Sequence, residues 1–306
     1  MKSLPDYFQV SAEVQAALLE KRPIVALETT VLTHGLPYPG NLDLANDMEQ
    51  VVRRAGALPA TIGVLDGIVW VGLDQNQIER LATPGDKVKI SLRDFSSAVA
   101  KQDSGGTTVA GTLFAAHQVG IQIFATGGIG GVHRQLGPRG TAFDISADLP
   151  ALARYPVAVV CAGAKAILDL PATLEYLETM AVPVIGYGTS EFPAFYSRSS
   201  DLKLHHRVDT PGEAAALVRA HWSLGLKSAM LICAPVPADV ALDGNEIDHI
   251  IQQALHESFA KGITGPAVTP YLLERVSALS GGDSLQANLE LLLNNAQIAA
   301  KIACAG

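Results

Sequence analysis

The sequence predicts an α/β fold with a largely parallel but mixed central sheet, and three observations lead to this prediction. Short apolar runs alternate with longer segments of helical periodicity, an order typical of parallel βαβ units. Two of these runs, ending at Ala125 and Cys161, lead into glycine-containing loops, as buried strands do at an edge where ligands bind. Asp66-Gly67 separates two further runs, and this dipeptide predicts a hairpin and therefore an antiparallel portion.

The individual elements follow from apolar spacing and from the residues that start and stop each segment. Predicted strands cover residues 24–27, 61–65, 68–71, 88–90, 120–125, 157–161, 183–186 and 229–233. Predicted helices cover residues 10–19, 41–55, 75–81, 93–101, 107–118, 167–180, 210–224, 244–261, 270–280 and 284–303. Two prolines and two glycines make residues 33–40 a loop, and Asp283 or Ser284 is the expected N-cap of the last helix.

Length and composition allow one large domain or two small ones. Of the 306 residues, 48% are apolar, and no run of about 18 apolar residues predicts a membrane span. The net charge of −8, without a basic cluster, argues against a nucleic-acid surface. The three cysteines are far apart and the N-terminal segment lacks the order of a signal peptide, so we expect a cytoplasmic protein.

The glycines between Thr126 and Gly131 follow a predicted strand and allow two interpretations. Glycine lets backbone N–H groups approach an anion closely, so this loop is a candidate phosphate cradle. The alternative is a tight turn without a ligand. Val132 and His133 leave the dinucleotide-binding pattern G-x-G-x-x-G incomplete, which argues against a nicotinamide-dependent enzyme.

Lys165 is the strongest single candidate for a catalytic residue. It follows an apolar strand and lies among alanines and a glycine. A poorly solvated lysine amine is a candidate nucleophile. The alternative is a lysine that reaches the surface or pairs with Asp169, one helical turn away.

Three carboxyl groups are further candidates. Glu28 ends a buried strand, where burial would favour the protonated form and a role as general acid, unless a distant cation pairs with it. Asp144 and Asp148 are four residues apart, a spacing that predicts one helix face and a possible site for a hard divalent cation. The alternative is capping of that helix by Asp144 or Ser146.

With these residues assembled, the chain resembles the indigoidine-synthase-A-like family of pseudouridine-5′-phosphate glycosidases, from about Val10 to Ala303. The motifs that carry the resemblance lie at residues 26–30, 33–35, 59–62, 107–110, 124–134, 143–149, 159–165, 185–187 and 288–296. The resemblance implies a three-layer α/β/α fold, a single domain over residues 1–306 and a homotrimer. It also implies one Mn²⁺ per subunit, with Mg²⁺ or another divalent ion possible.

The activity implied by the resemblance is the reversible cleavage of pseudouridine 5′-phosphate into uracil and D-ribose 5-phosphate, as part of pseudouridine catabolism. By position, Lys165 matches the family's nucleophile, Glu28 its proton donor and Asp144 its metal ligand. The positions that match substrate-binding residues are Lys89, Val109, Thr126, His133, Ser146, Ala147, Asp148 and Asn288. The expected intermediate is an imine between the lysine and ribose. The expected partners are these small molecules and further copies of the chain, with neither nucleic acid nor membrane.

Two departures from the family pattern favour a second hypothesis. The loop after His133 is longer than usual, and Ala234 stands where the family typically has an asparagine. Both changes would suit a C-glycosynthase of the same family, which joins ribose 5-phosphate to another aromatic acceptor. A non-catalytic sugar-phosphate binder is the remaining alternative, although Glu28, Asp144 and Lys165 are all present.

Overall fold

A computed structural model describes residues 4–134, 144–263 and 268–306. Its strands are β1 Phe8–Val10, β2 Ile24–Leu27, β3 Leu58–Leu65, β4 Ile68–Val71, β5 Val88–Ile90, β6 Gly105–Thr107, β7 Ile123–Ala125, β8 Val132–His133, β9 Ala158–Cys161, β10 Leu168–Asp169, β11 Val184–Tyr187, β12 His206–Val208 and β13 Met230–Cys233. Its helices are α1 Ala12–Leu19, α2 Gly40–Arg54, α3 Gln75–Ala82, α4 Phe95–Lys101, α5 Val109–Val119, α6 Asp148–Arg154, α7 Leu170–Thr179, α8 Pro211–Ser223, α9 Gly244–Ala260, α10 Val268–Leu279 and α11 Asp283–Ala305.

The predicted mixed sheet is confirmed. The main path runs β1-β4-β3-β2-β7-β9-β13-β11-β12, with β6 pairing with β3 and β5 pairing with β6. Every pair of neighbours from β3 to β12 along this path is parallel, and so is the pair β1–β4. The antiparallel pairs are β3–β4, joined by the predicted turn at Asp66-Gly67, and β3–β6.

Helices cover both faces of this sheet, as the three-layer prediction required. Helix α11 packs on β2, β7 and β9 and also contacts α2 and α8, which together form one layer. Helix α5 packs on β2, β3 and β4 and contacts α6 in the other layer. The central strands β2, β7 and β9 are buried along their whole length, which explains their continuous apolar runs. Within the described ranges, no helix is long and apolar enough to cross a bilayer.

Several local predictions were wrong, and most of the errors involve short or glycine-rich segments. Strands β1 and β6 were not predicted, because three residues give too little periodicity and two of the residues in β6 are glycines. The predicted loop at 33–40 overlaps a π-helical turn at Val31–Gly35, where the carbonyl of Thr29 accepts from the amides of Leu32 and Thr33.

Several helix starts also differ from the prediction, and the starts of α7 and α11 show why. The helix expected from residue 167 begins at Leu170, because Leu168 and Asp169 pair with β8 instead. The last helix has Gly282 as its N-cap residue and no side-chain cap, so neither Asp283 nor Ser284 fills the predicted role. These differences arise from strand pairing and from a left-handed glycine, neither of which a local pattern specifies.

Candidate active site

A cavity of about 670 Å³ opens at the carboxyl ends of the central strands. Because β2, β7 and β9 are adjacent and parallel, the residues that follow them emerge at one edge of the sheet. Among the residues that line the cavity are five predicted site residues: Glu28, Lys89, Thr126, Lys165 and Asn288. The apolar part of the wall comes mainly from the π-helical turn, α10 and α11, and includes Val31, Leu36, Pro37, Leu273, Leu285 and Leu292.

Glu28 follows β2 and is buried. Its burial raises the pKa of the carboxyl group above the ordinary value, and the charge of Asp148 acts in the same direction. Lys165, the hydroxyl of Thr126 and Lys89 act to lower this pKa but do not outweigh burial. The Thr126 hydroxyl donates a hydrogen bond to Glu28 Oε1. The predicted shift toward the protonated form is therefore present, as a general acid requires.

Lys165 is half-buried and follows β9 by four residues. Its backbone N–H donates to the carbonyl of Ile129 at 3.1 Å, which ties it to the loop after β7. Its charge influences the pKa of Glu28, Lys89 and His133, so its amine lies within electrostatic range of all three. Asp169, the alternative partner, caps α7 instead, with its carboxylate accepting from the backbone N–H of Ala172 at 3.0 Å.

Lys89 and His133 add basic groups on the polar side of this cluster. Burial lowers the pKa of Lys89, and the nearby Lys165 lowers it further, while Asp148 and Glu28 oppose the shift. Burial also lowers the pKa of His133, with Asp144 opposing and Lys165 adding to the effect. Two lysines that line the cavity, with a histidine close enough to feel the charge of both, suit the site to an anionic ligand inside an acidic protein.

Asp144 and Asp148 do not share a helix face, contrary to the prediction. Helix α6 begins only at Asp148, and Asp144 lies in the preceding non-helical segment. The Asp148 carboxylate accepts from the backbone N–H of Ala110 at 2.9 Å and from that of Gly130 at 2.8 Å. Ala147 rather than Asp144 or Ser146 is the N-cap residue of α6 and makes no side-chain bond, but the Ser146 hydroxyl accepts from the backbone N–H of Asp148, the first residue of the helix.

The glycine loop is used mainly for close packing. A Cβ atom on Gly128 would lie 2.6 Å from the Phe195 ring, and one on Gly130 or Gly131 would collide with Ser146 or Thr173. The amides of Ile129 and Gly130 are already bonded, to the Gly163 carbonyl and to Asp148. Gly127 and Gly128 line the cavity, so a phosphate cradle, if present, would use their N–H groups.

Three of the predicted substrate-binding residues surround Asp148. Val109 begins α5, one residue before the amide that binds the Asp148 carboxylate. The Ser146 hydroxyl accepts from the backbone N–H of Asp148 at 3.2 Å, and Ala147 lies between them. In the described part of the chain, these three residues and His133 are not among those that line the cavity.

Asn295 is a site residue that the sequence reasoning missed. It is fully buried in α11, and its Nδ2 donates to the carbonyl of Thr126 at 2.9 Å and to that of Gly127 at 3.3 Å. Its Oδ1 has no partner among the described residues. Asn295 therefore fixes the turn whose threonine hydroxyl contacts Glu28. A polar residue on the apolar face of a long helix was the available signal.

The residues near Asp144 suit only a loosely held metal ion. The Asp144 side chain is 62% exposed, and its Oδ2 lies 3.9 Å from His133 Nδ1. Within the described residues, no group of three His, Cys, Asp or Glu side chains forms a metal cluster. Mg²⁺ and similar hard ions often use one or two carboxylates and keep several waters, so a single carboxylate fits such an ion but not a closed protein cage.

Of the two departures from the family pattern, the structure describes Ala234 but not the longer loop after His133. The longer loop after His133 falls in residues 135–143, outside the described residues. Ala234 is 1% exposed, and its N–H donates to the Cys161 carbonyl at 2.9 Å. Ala234 is not among the described residues that line the cavity, so any effect on the ligand would be indirect.

Fold and site together define an α/β/α enzyme with a buried carboxyl group and a lysine amine in one cavity. The chain belongs to the family described as indigoidine synthase A like protein, whose model matches residues 13–305. It is 53% identical over 297 residues to the pseudouridine-5′-phosphate glycosidase of Solibacter usitatus, covering 97% of this chain and 98% of the relative. The pseudouridine-5′-phosphate glycosidase of Caldanaerobacter subterraneus is 51% identical over 297 residues, covering 97% and 96%.

Two solved structures share the fold over nearly the whole chain. The prealnumycin C-glycosynthase AlnA, in complex with ribulose 5-phosphate, superposes with a TM-score of 0.90 at 41% identity, covering 98% of this chain and 97% of that one. An indigoidine synthase A-like protein from Thermotoga maritima superposes with a TM-score of 0.87 at 31% identity, covering 97% and 95%.

We expect Glu28→Gln to become more stable relative to the wild-type protein as pH rises. The folded-state pKa of Glu28 is raised, so its contribution to stability is present below the unfolded pKa of about 4.3 and is lost as pH rises through the folded pKa. Glutamine removes this pH-dependent loss and keeps an acceptor for Thr126. Thermal midpoints measured between about pH 5 and about pH 8 check the sign.

Glu49→Gln is the matched control for this experiment. Glu49 is also buried with a raised pKa, and its Oε1 accepts from the Thr61 hydroxyl at 2.5 Å, away from the cavity. We expect Glu49→Gln, like Glu28→Gln, to become more stable relative to the wild-type protein as pH rises. Glu49→Gln should retain catalytic turnover, whereas Glu28→Gln should lose it. Equal activity in the two variants would contradict an acid role for Glu28.

Proposed function

We propose that this chain cleaves the C-glycosidic bond of pseudouridine 5′-phosphate reversibly, giving uracil and D-ribose 5-phosphate. The observation that carries the proposal is that Glu28 and Lys165 meet in one cavity. Support comes from relatives named for this activity that are about half identical over nearly the whole length. A buried acid beside a lysine amine is suited to opening a sugar ring and trapping it as an imine.

The proposed reaction begins at the ribose ring. Glu28 gives its proton to the ring oxygen as the bond between that oxygen and C1′ breaks, and the amine of Lys165 forms a bond to C1′. The nitrogen lone pair then forms a C=N bond as the bond from C1′ to the base carbon breaks. The proton that the Lys165 nitrogen loses on bonding to C1′ passes to the Glu28 carboxylate and from there to the base carbon, and uracil leaves. Water adds to the ribose imine and releases ribose 5-phosphate from Lys165.

The remaining predicted residues are proposed to hold the substrate. Lys89 and His133 would bind the phosphate, with the N–H groups of Gly127 and Gly128 as additional donors. Thr126 and Asn288 line the cavity and are available to the base and sugar. The Asp148 carboxylate joins the start of α5, where Val109 lies, to the glycine loop. Ser146 and Ala147 directly precede Asp148, so all four residues adjoin this polar side.

We further propose that Asp144 holds a divalent ion, Mn²⁺ or Mg²⁺, that keeps most of its waters. When bound, such an ion supplies positive charge and helps to position an anionic substrate. A homotrimer and a cytoplasmic location complete the proposal. Two buried free thiols, Cys161 and Cys233, are consistent with a reducing compartment.

Borohydride trapping tests the imine directly. With Mn²⁺ and ribose 5-phosphate, we expect mass spectrometry to find a reduced ribose-phosphate adduct on Lys165, and Lys165→Ala should form none. Turnover of pseudouridine 5′-phosphate by this variant should fall more than about a thousandfold, because the variant lacks the proposed nucleophile. Lys89→Ala is the control: it retains Lys165 and should form the adduct at raised ribose 5-phosphate concentration.

Two results would contradict this mechanism. A wild-type protein that consumes pseudouridine 5′-phosphate without any trapped adduct would exclude the Lys165 imine. A protein that binds ribose 5-phosphate equally well with and without Lys165, and shows no turnover, would be a binder rather than an enzyme.

Removal of the metal ion tests the role of Asp144. We expect Asp144→Asn to weaken Mn²⁺ binding at least about tenfold, measured by electron paramagnetic resonance, because a carboxylate is the preferred ligand. Asp66→Asn changes a carboxylate of similar exposure that is paired with Arg80, and it should bind Mn²⁺ normally. Unchanged Mn²⁺ affinity in Asp144→Asn would remove Asp144 from the metal site.

A C-glycosynthase is the second candidate function, and the cavity gives a specific reason to test it. The apolar side chains of α10 and of the π-helical turn leave room beside the polar cluster, and the prealnumycin C-glycosynthase shares the fold. The assay compares condensation of ribose 5-phosphate with uracil and with larger aromatic acceptors. Uracil should be the better acceptor for the proposed glycosidase, and the reverse preference would favour the glycosynthase.

A further inference from the structure

Arg134 makes three hydrogen bonds on the side of the Lys165 turn that faces away from the active-site cavity. Its Nε donates to the carbonyl of Leu168 at 3.0 Å and its Nη2 to the carbonyl of Ala166 at 3.0 Å. Its Nη1 donates to Asp248 Oδ1 at 2.7 Å. The side chain is only 22% exposed, so the guanidinium is largely enclosed by its partners.

The two carbonyls belong to the short turn that begins at Lys165. The N–H of Leu168 donates to the Lys165 carbonyl at 3.0 Å, and Leu168 then pairs with His133 between β10 and β8. At the other end, the N–H of Lys165 is bonded to Ile129. The turn has little regular secondary structure of its own. Arg134 donates hydrogen bonds to two of its carbonyls, those of Ala166 and Leu168.

Arg134 and its partners line a second cavity of about 380 Å³. Ala166, Leu168 and Asp248 also line this cavity, whereas Lys165 lines the larger one. The guanidinium therefore supports the turn from behind, and Asp248 in α9 anchors it to a separate helix. Only arginine offers donors in a planar fork with this geometry; a lysine amine is a single point with rotating donors.

We propose that Arg134 is a positioning residue that fixes the backbone of residues 165–168 and so aims the Lys165 amine at C1′ of the sugar. The effect on turnover rests on the proposed function. The effect on the backbone of residues 165–168 is independent of it. Misplacing a reacting group by about 1 Å can cost about a hundredfold in rate, so a clamp that contacts no substrate can still control turnover.

Hydrogen exchange and kinetics on Arg134→Lys and Arg134→Ala test the proposal together. We expect amide exchange in residues 165–169 to accelerate at least about tenfold, and kcat to fall at least about tenfold with KM within about threefold. Asp248→Ala should show part of the faster exchange and part of the loss in kcat. Asp248→Asn keeps an acceptor for Arg134 and should return both quantities toward the wild-type values. Arg53→Lys is the control, because it makes the same substitution in an arginine that binds a carboxylate, that of Glu13, between α2 and α1 and without contact to the Lys165 turn.

Two results overturn the clamp. One is unchanged exchange in residues 165–169 of a folded Arg134→Ala protein. The other is accelerated exchange with unaltered kcat. If the wild-type protein does not cleave pseudouridine 5′-phosphate, the proposed function fails on its own. The role of Arg134 in fixing residues 165–168 is then tested by amide exchange and by the rate at which acetic anhydride modifies Lys165. This rate should differ at least about threefold between Arg134→Ala and the wild-type protein.

Discussion

The burial of Glu28 is the constraint on which the rest of the site depends. A carboxyl group removed from water at the end of a central strand holds its proton more tightly, unless cations and donors offset the loss of hydration. The structure supplies partial compensation through Lys165, Lys89 and the Thr126 hydroxyl, and burial still prevails. The position of that hydroxyl depends in turn on Asn295, which holds the following turn from a different helix. The acidity of one residue thus depends on contacts made nearly the whole chain length away.

Asp148 shows how the same region accommodates a second buried carboxyl group. Its two oxygens are satisfied by backbone N–H groups at the start of α5 and in the glycine loop. The loop therefore binds an anion, but that anion is a side chain of the protein. Phe195, Ser146 and Thr173 pack against the glycine backbone, in the space that larger side chains would otherwise occupy. A glycine-rich sequence after a strand is consistent with both a ligand cradle and a packing contact, and only the neighbouring residues distinguish them.

Sequence reasoning succeeded where a single physical rule decides the outcome. Strand β2 was predicted with its observed bounds because a buried parallel strand is a continuous apolar run. Glu28 and Lys165 share a cavity because parallel strands place their carboxyl ends together. The start of α6 could not be predicted, since it depends on the distant amides that bind Asp148. Arg134 and Asn295 lie in the motifs at residues 124–134 and 288–296, but their roles were not predicted, because only the tertiary fold brings the carbonyls that they bind near them.

The cavity has walls of two different origins, and the two walls differ in how much substitution they can accept. The reactive side is built from the ends of β2, β7 and β9, where a change would disturb the sheet and several buried bonds at once. The opposite wall includes one face of α10, with Thr269, Leu273 and Ser277 spaced at helical intervals. Helix α10 packs chiefly against α9, so its inward side chains can vary in size without altering strand order or register. Changes in these side chains would therefore reshape one wall of the cavity and leave the strand ends next to Glu28, Thr126 and Lys165 undisturbed.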